Sequence, residues 1–295
     1  MVSPRSVRDG LQILDERREN VRIVAGSTDV SVMLKDGNVR EEWCLDISHL
    51  DVLRYIKMSR DRLIHIGALA TYGDCIRSSI IQRNARILVD AFYTLGSPQI
   101  RNLATIAGNL GNASPAGDAI PPLFVLNASV VLESLSERRE MSVRDFLVDY
   151  RKTDRKPNEL ITEVRFSPVR RGQVAFFKKL GLRKANAIAV ASVAFCGQMA
   201  EGPRFADARI ALGAVGPTVL RASRAEKVLL SGLFTTERIG EVARICSLEA
   251  QPISDIRGSA EYRRKAIDGL AQLGFLEILD GLRSRSGIGG SKSSR

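Results

Sequence analysis

The chain has 295 residues, 44% of them hydrophobic and 26% charged, which is enough apolar material for one large core or two smaller ones. No apolar run approaches the ~20 residues of a membrane-spanning helix, and the first residues lack the apolar stretch of a secretory signal, so a cytoplasmic location is expected. Forty-four Lys and Arg against 33 Asp and Glu leave a net charge of +11, but the basic residues are scattered in short groups with few aromatics and no nucleic-acid motif, which points to solvated surface or subunit docking and away from nucleic acid and membrane.

Cys44, Cys75, Cys196 and Cys246 never pair as C-x-x-C, and His49 and His65 stand alone. Neither a zinc site, a local iron–sulfur motif nor a His-based triad is indicated.

In chain order, Ser3-Pro4 reads as an N-cap and first-turn proline. It opens an amphipathic helix marked by Val7, Leu11 and Leu14 that ends near Asn20. The β-rich run Val21–Val24 stops at Ala25-Gly26-Ser27-Thr28-Asp29, before a second helical stretch. Cys44–Ile47 and Leu63–Gly67 read as buried strands, and residues 84–95 as a helix. From Gly96 to Pro122 the chain is rich in small and amide residues interspersed with Ile100, Leu103, Ile106 and Leu110, and reads as an ordered binding loop. Strands resume at Ser129–Leu132 and Leu160–Phe166, and a boundary is expected at Val169–Gln173. Beyond it, strands at Val174–Leu180, Ala189–Gln198 and Ala208–Ala214 precede helices near 222–230, 235–250 and 260–282, an α+β order. The tail Ser284–Arg295 has too little apolar content to fold.

Two small-residue loops about 80 residues apart carry the candidate chemistry. Such loops let backbone amides approach an anionic ligand closely, and Ser27, Thr28, Thr105 and Asn109 add side-chain donors. Neither loop is a Walker A or a G-x-G-x-x-G sequence. Tight turns without a ligand explain that spacing equally well.

The residues themselves go further. Ile23-Val24-Ala25-Gly26-Ser27-Thr28-Asp29-Val30 resembles the first FAD-binding stretch of the flavin subunits of molybdenum hydroxylases, the family of xanthine dehydrogenase and aerobic carbon monoxide dehydrogenase. Ile100–Asn109 resembles the second, and Ala113-Ser114-Pro115-Ala116-Gly117-Asp118 continues it. Phe177–Ala185, Leu212–Thr218 and Ser259–Arg264 are similar to motifs of the C-terminal domain of those subunits, in the same order.

The resemblance implies a two-part vanillyl-alcohol-oxidase-like (PCMH-type) FAD-binding domain over residues 1–170. A smaller α+β domain, a three-stranded antiparallel sheet with helices, would follow over 174–283, and a disordered tail over 284–295. It implies FAD as cofactor, with Ile23 to Val30 (Ile23, Val24, Ala25, Gly26, Ser27, Thr28, Asp29, Val30) around the pyrophosphate. Thr105, Ile106, Ala107, Gly108 and Asn109 would lie on its other side, and Ser114 and Asp118 near the ribityl or adenosine part. Leu95 and Ile161 would be apolar contacts, and Lys179 a cation near the pyrimidine end of the flavin. No catalytic residue and no metal ligand is implied. Partners would be a small subunit with 2Fe–2S clusters and a large molybdopterin subunit, with NAD⁺, oxygen or another acceptor taking the electrons.

The chain departs from the family pattern at Ala107, where Gly is usual, at Ser27, and at Ala185-Asn186-Ala187. A methyl at 107 is compatible with a negative φ and would crowd a phosphate otherwise. The other readings are a free-standing FAD oxidoreductase and an assembly or nucleic-acid-binding protein without flavin.

Overall fold

The computed structural model describes residues 1–183 and 186–287. Helix α1 (Val7–Arg17) is capped by Ser6, whose side chain accepts from the Asp9 amide, and not by Ser3. The reason lies just upstream, where Val2 bridges in parallel to Leu45 and the Pro4 carbonyl meets His49 Nε2 at 2.6 Å. Residues 2–4 are therefore tied to a strand and cannot begin the helix. Leu11 and Leu14 carry the buried face of α1. Strand β1 (Val21–Val24) follows, then α2 (Val30–Lys35), none of whose residues is buried, then β2 (Trp43–Asp46), parallel to β1.

Strands β3 (Ile56–Met58) and β4 (Ile64–Gly67) form a hairpin. Six short helices then leave and return to the sheet: α3 (Tyr72–Arg77), α4 (Ser79–Asn84), α5 (Arg86–Tyr93), α6 (Pro98–Leu103), α7 (Ile106–Asn112) and α8 (Ile120–Val125). Next come β5 (Ser129–Glu133), β6 (Arg138–Ser142), the turn of helix α9 (Val143–Phe146), the hairpin β7 (Leu147–Asp149) and β8 (Lys152–Thr153), and β9 (Leu160–Phe166). Strand β9 inserts between β4 and β5, so the antiparallel order is β3-β4-β9-β5-β6.

The Gly96–Pro122 stretch is thus largely helical and not a loop. Ser97 and Thr105 accept from the amides of Ile100 and Gly108, and Pro98 sits in the first turn of α6. These caps offset the poor helix propensity of Gly and Asn.

In the second unit, β10 (Gln173–Gly181), β11 (Ala189–Met199) and β12 (Phe205–Gly213) form the three expected strands. A two-residue fourth strand, β13 (Leu220–Arg221), joins the edge of β12. Helices α10 (Ser223–Leu230), α11 (Thr236–Glu249) and α12 (Ala260–Gly287) complete it. Helix α12 includes Ser284 to Gly287, the start of the segment expected not to fold, and residues 288–295 lie outside the described residues.

The sheet is buried on both faces because alternate side chains point opposite ways. Phe176, Val193, Phe195, Ile210 and Leu212 join the core under α10–α12, while Phe177, Ala194, Cys196 and Ala211 join the core of the first unit. This explains why β11 is apolar from Ala189 to Cys196 except for Ser192. On the helical side, Phe275 packs against Phe176, Phe195 and Phe234 with ring centroids 5.2, 4.8 and 6.1 Å away. Buried Arg263 donates to the carbonyls of Val190 and Ala214 and to Asp255, pinning the start of α12 to two strand ends. The Ser259–Arg264 motif therefore has a structural use.

Candidate functional site

Three segments far apart in sequence meet at the end of β1. Gly26 lies so close to the α6–α7 junction that a Cβ there would fall 1.8 Å from the Leu103 carbonyl oxygen. The start of α3 is tied to that same junction: Thr71 bridges to Thr105, and the Tyr72 amide donates to Ala104 O at 3.0 Å. The capping box of Thr71 and Asp74 fixes where α3 begins. Both small-residue loops thus line one place.

Within the first loop, Val24 is buried, Ile23, Ala25 to Thr28 and Val30 are half-buried, and Asp29 is exposed. Ser27 takes φ +58°, the left-handed region where a side chain costs about 1 kcal/mol. Its hydroxyl meets Ser31 Oγ at 2.7 Å on the surface. Ser27→Gly is expected to stabilise the chain by about 0.5 kcal/mol in chemical denaturation, since relief of strain outweighs one exposed hydrogen bond. A loss of stability would show that the hydroxyl pair dominates.

In the second stretch, Ile106 and Ala107 bury their side chains in the core, whereas Gly108 is exposed and Asn109 half-buried. Thr105 is the N-cap of α7, and its hydroxyl accepts from Gly108 N at 3.0 Å. Ala107 has helical backbone with negative φ, so its methyl fills core space and does not crowd the loops. Leu95 packs at the edge of the core, Ile161 is buried beside Gly111, and Ser114 is half-buried with its carbonyl closing the turn to Gly117 N.

Asp118 and Lys179 form the electrostatic centre. Lys179 reaches from β10 of the second unit to Asp118 Oδ2 at 2.5 Å, and donates also to Ala187 O at 2.8 Å and Thr94 O at 3.0 Å. Both side chains are buried. Burial pushes the Asp118 carboxyl up to about 6, although the Lys179 charge and hydrogen bond act the other way. A second link runs from the Ala214 amide to Pro115 O at 2.9 Å, fixing the turn before Asp118 against the second unit.

Asp118 Oδ1, Asn109 Oδ1 and the Tyr72 hydroxyl are buried and have no hydrogen-bond partner among the described residues. Each such group costs about 1–3 kcal/mol if it stays unpaired. Asn109 packs against the position of Gly117, next to Asp118. Tyr72 is 1% exposed, and burial, then the charges of Asp118 and Asp29, raises its phenol well above the ordinary range. Sequence reasoning missed Tyr72; the Thr-x-x-Asp capping signature at 71–74 was the signal that located it at a helix start.

Gly26 thus leaves no room for a Cβ against the α6–α7 junction, and the buried polar atoms of Tyr72, Asn109 and Asp118 lack a partner among the described residues. Residues 1–168 match the model of the FAD binding domain in molybdopterin dehydrogenase, and residues 175–278 the CO dehydrogenase flavoprotein C-terminal domain. The chain is 33% identical to the glyceraldehyde dehydrogenase medium chain of Sulfolobus acidocaldarius, covering 94% of this chain and 97% of that one. It is 30% identical to the nicotinate dehydrogenase FAD-subunit of Eubacterium barkeri, over 95% and 96% of the two. A carbon monoxide dehydrogenase structure from Hydrogenophaga pseudoflava superposes with a TM-score of 0.88 at 28% identity, covering 92% of this chain and 94% of that one.

The chain belongs to the FAD-binding subunit family of the molybdenum hydroxylases, the xanthine dehydrogenase and carbon monoxide dehydrogenase type. Its cofactor is FAD, and it is an oxidoreductase subunit. Among the described residues no helix is long and apolar enough to cross a membrane, and no cluster of potential metal ligands is present.

Proposed function

We propose that this chain is the middle electron carrier of a cytoplasmic three-subunit hydroxylase. A large molybdopterin subunit oxidises the substrate, a small subunit relays electrons through 2Fe–2S clusters, and this chain passes them to NAD⁺, oxygen or another acceptor. When bound, FAD supplies the capacity to accept electrons singly and release them in pairs. The residues of the chain have the task of binding and orienting it. The loop within Ile23–Val30 presents backbone amides and Thr28 adds a hydroxyl, while Asn109 contributes through its side chain, the amides of Gly108 and Asn109 being taken up by Thr105. Lys179 and Asp118 fix charge where the units 1–170 and 174–283 meet. Leu182, Arg183, Ala187, Ile188 and Arg257 line a cavity of about 220 Å³ on the side of the Lys179–Ala187 contact, which supports approach of an acceptor there; Lys184 and Ala185 of that segment lie outside the described residues.

The observation that carries this reading is the set of unpartnered buried polar atoms on Tyr72, Asn109 and Asp118, of which Tyr72 is tied through its amide to the same α6–α7 junction that Gly26 packs against. The test is a titration of the purified chain with FAD, read by the absorption bands of oxidised flavin after gel filtration. One FAD retained per chain is expected. Failure to retain FAD, both alone and with the two partner subunits present, overturns the reading.

A further inference from the structure

Tyr72 is held from two sides. Its ring lies against Phe92, with centroids 4.7 Å apart, and its amide is fixed on Ala104 O. The hydroxyl at its tip is buried, and no described residue bonds to it. A buried phenol ordinarily finds a partner, and this one is packed in place against Phe92.

The neighbourhood says what that partner is. Asp118 keeps one carboxylate oxygen free, Asn109 offers an amide oxygen, and both are buried acceptors. A phosphate, which only accepts, would leave the free oxygens of Asp118 and Asn109 without a donor. Two acceptors and one phenol suit groups that both donate and accept, which are alcohol hydroxyls. A row of hydroxyls on a sugar alcohol offers the kind of partner each of the three atoms lacks. Lys179, the neighbouring cation, is already taken up by Asp118, Thr94 O and Ala187 O and does not invite an anion.

We propose that Tyr72 is a cofactor-binding residue which, with Asn109 and Asp118, forms a hydroxyl-binding subsite for a polyol portion of the cofactor. The inference rests on the FAD reading above. FAD carries two polyol portions, the ribityl chain of the flavin and the ribose of the adenosine, and the same chemistry serves either.

The test is Tyr72→Phe in the full chain, with two readouts. FAD affinity, from quenching of flavin fluorescence, is expected to fall about 5- to 10-fold, the loss of one hydrogen bond. Stability of the apo chain in chemical denaturation is expected to stay level or rise, because an unpaired buried donor has been removed. A hydroxyl with a purely structural role would move stability down and leave affinity alone. Competition by riboflavin and by ADP then distinguishes the sources: weakened riboflavin with unchanged ADP assigns the ribityl chain, and the reverse assigns the ribose. Unchanged FAD affinity in Tyr72→Phe, or a less stable apo chain, overturns the proposal while leaving the FAD reading intact. A wild-type chain that takes up no flavin, alone or with its partner subunits, overturns both.

Discussion

Gly26→Ala is expected to abolish FAD uptake and to cost the fold about 3 kcal/mol or more. The added Cβ would stand 1.8 Å from Leu103 O, 2.5 Å from Leu103 C and 3.1 Å from Ala104 N. All three are backbone atoms, so no rotamer change relieves the clash. Leu103 and Ala104 cannot withdraw cheaply either. Ala104 N closes the last turn of α6 on Ile100 O, and Ala104 O accepts from Tyr72. Pushing the two loops apart would therefore break α6, open the start of α3 and widen the site together. Gly240→Ala in α11, where nothing lies within 4 Å of the new Cβ, is the matched control and should gain roughly 0.5–1 kcal/mol from helix propensity. Chemical denaturation and FAD titration of both variants decide the matter. A Gly26→Ala chain with wild-type stability and affinity would mean that the close approach to Leu103 is not the feature that shapes the site.

This close approach shows what can be read from sequence and what cannot. Gly26 stands out in the Ile23–Val30 stretch, yet its partner Leu103 is a residue that alternation marks merely as apolar. The run Ala189–Cys196, broken only by Ser192, declares itself because both faces are buried, and Leu160–Phe166 does so by its apolar and β-branched residues although it carries Thr162, Glu163 and Arg165. Strand β6, Arg138–Ser142, does not, since it is a sheet edge whose charged side chains pair across the surface and show no apolar alternation. The helices α6 and α7 were hidden by Gly, Asn and Pro, residues that usually signal turns. Their caps, Ser97 and Thr105, were the readable sign. At the site, motif residues marked the right segments without saying which side chains face outward. Ile106 and Ala107 belong to the core, Thr105 spends its hydroxyl on its own helix, and Tyr72 lies outside both stretches. The Asp118–Lys179 pair joins residues 61 positions apart, a contact that only the docking of the second sheet creates.

Lys179→Met should destabilise the chain by about 3–5 kcal/mol at pH 8, because removing one partner of a buried ion pair strands the other's charge. The size depends on pH, and the sign follows from Asp118. Its carboxyl is held at about 6 in the folded chain against 3.8 for an ordinary aspartate, so between those values the folded state binds more protons than the unfolded one. Its contribution to stability therefore falls as pH rises from about 4 to about 6, by something on the order of 3 kcal/mol, and is level above that. Without Lys179 the carboxyl titrates higher still, since the ammonium is what opposes the burial term. The folded variant then keeps a proton that the wild type has lost. Its deficit must widen with pH above about 6 and narrow at pH 5, where Asp118 is neutral in both proteins and only the hydrogen bonds of Lys179 to Thr94 O, Ala187 O and Asp118 are missing. Asp118→Asn combined with Lys179→Met removes both charges and should recover much of the loss with little pH dependence. Denaturation of the four chains at pH 5 and pH 8 completes the cycle. A coupling under 1 kcal/mol that is the same at both pH values would place the pair among ordinary surface contacts and deprive the junction of its electrostatic anchor. A large, pH-dependent coupling would mean that the second unit, through one lysine, sets the charge state of the carboxylate we propose to contact the cofactor.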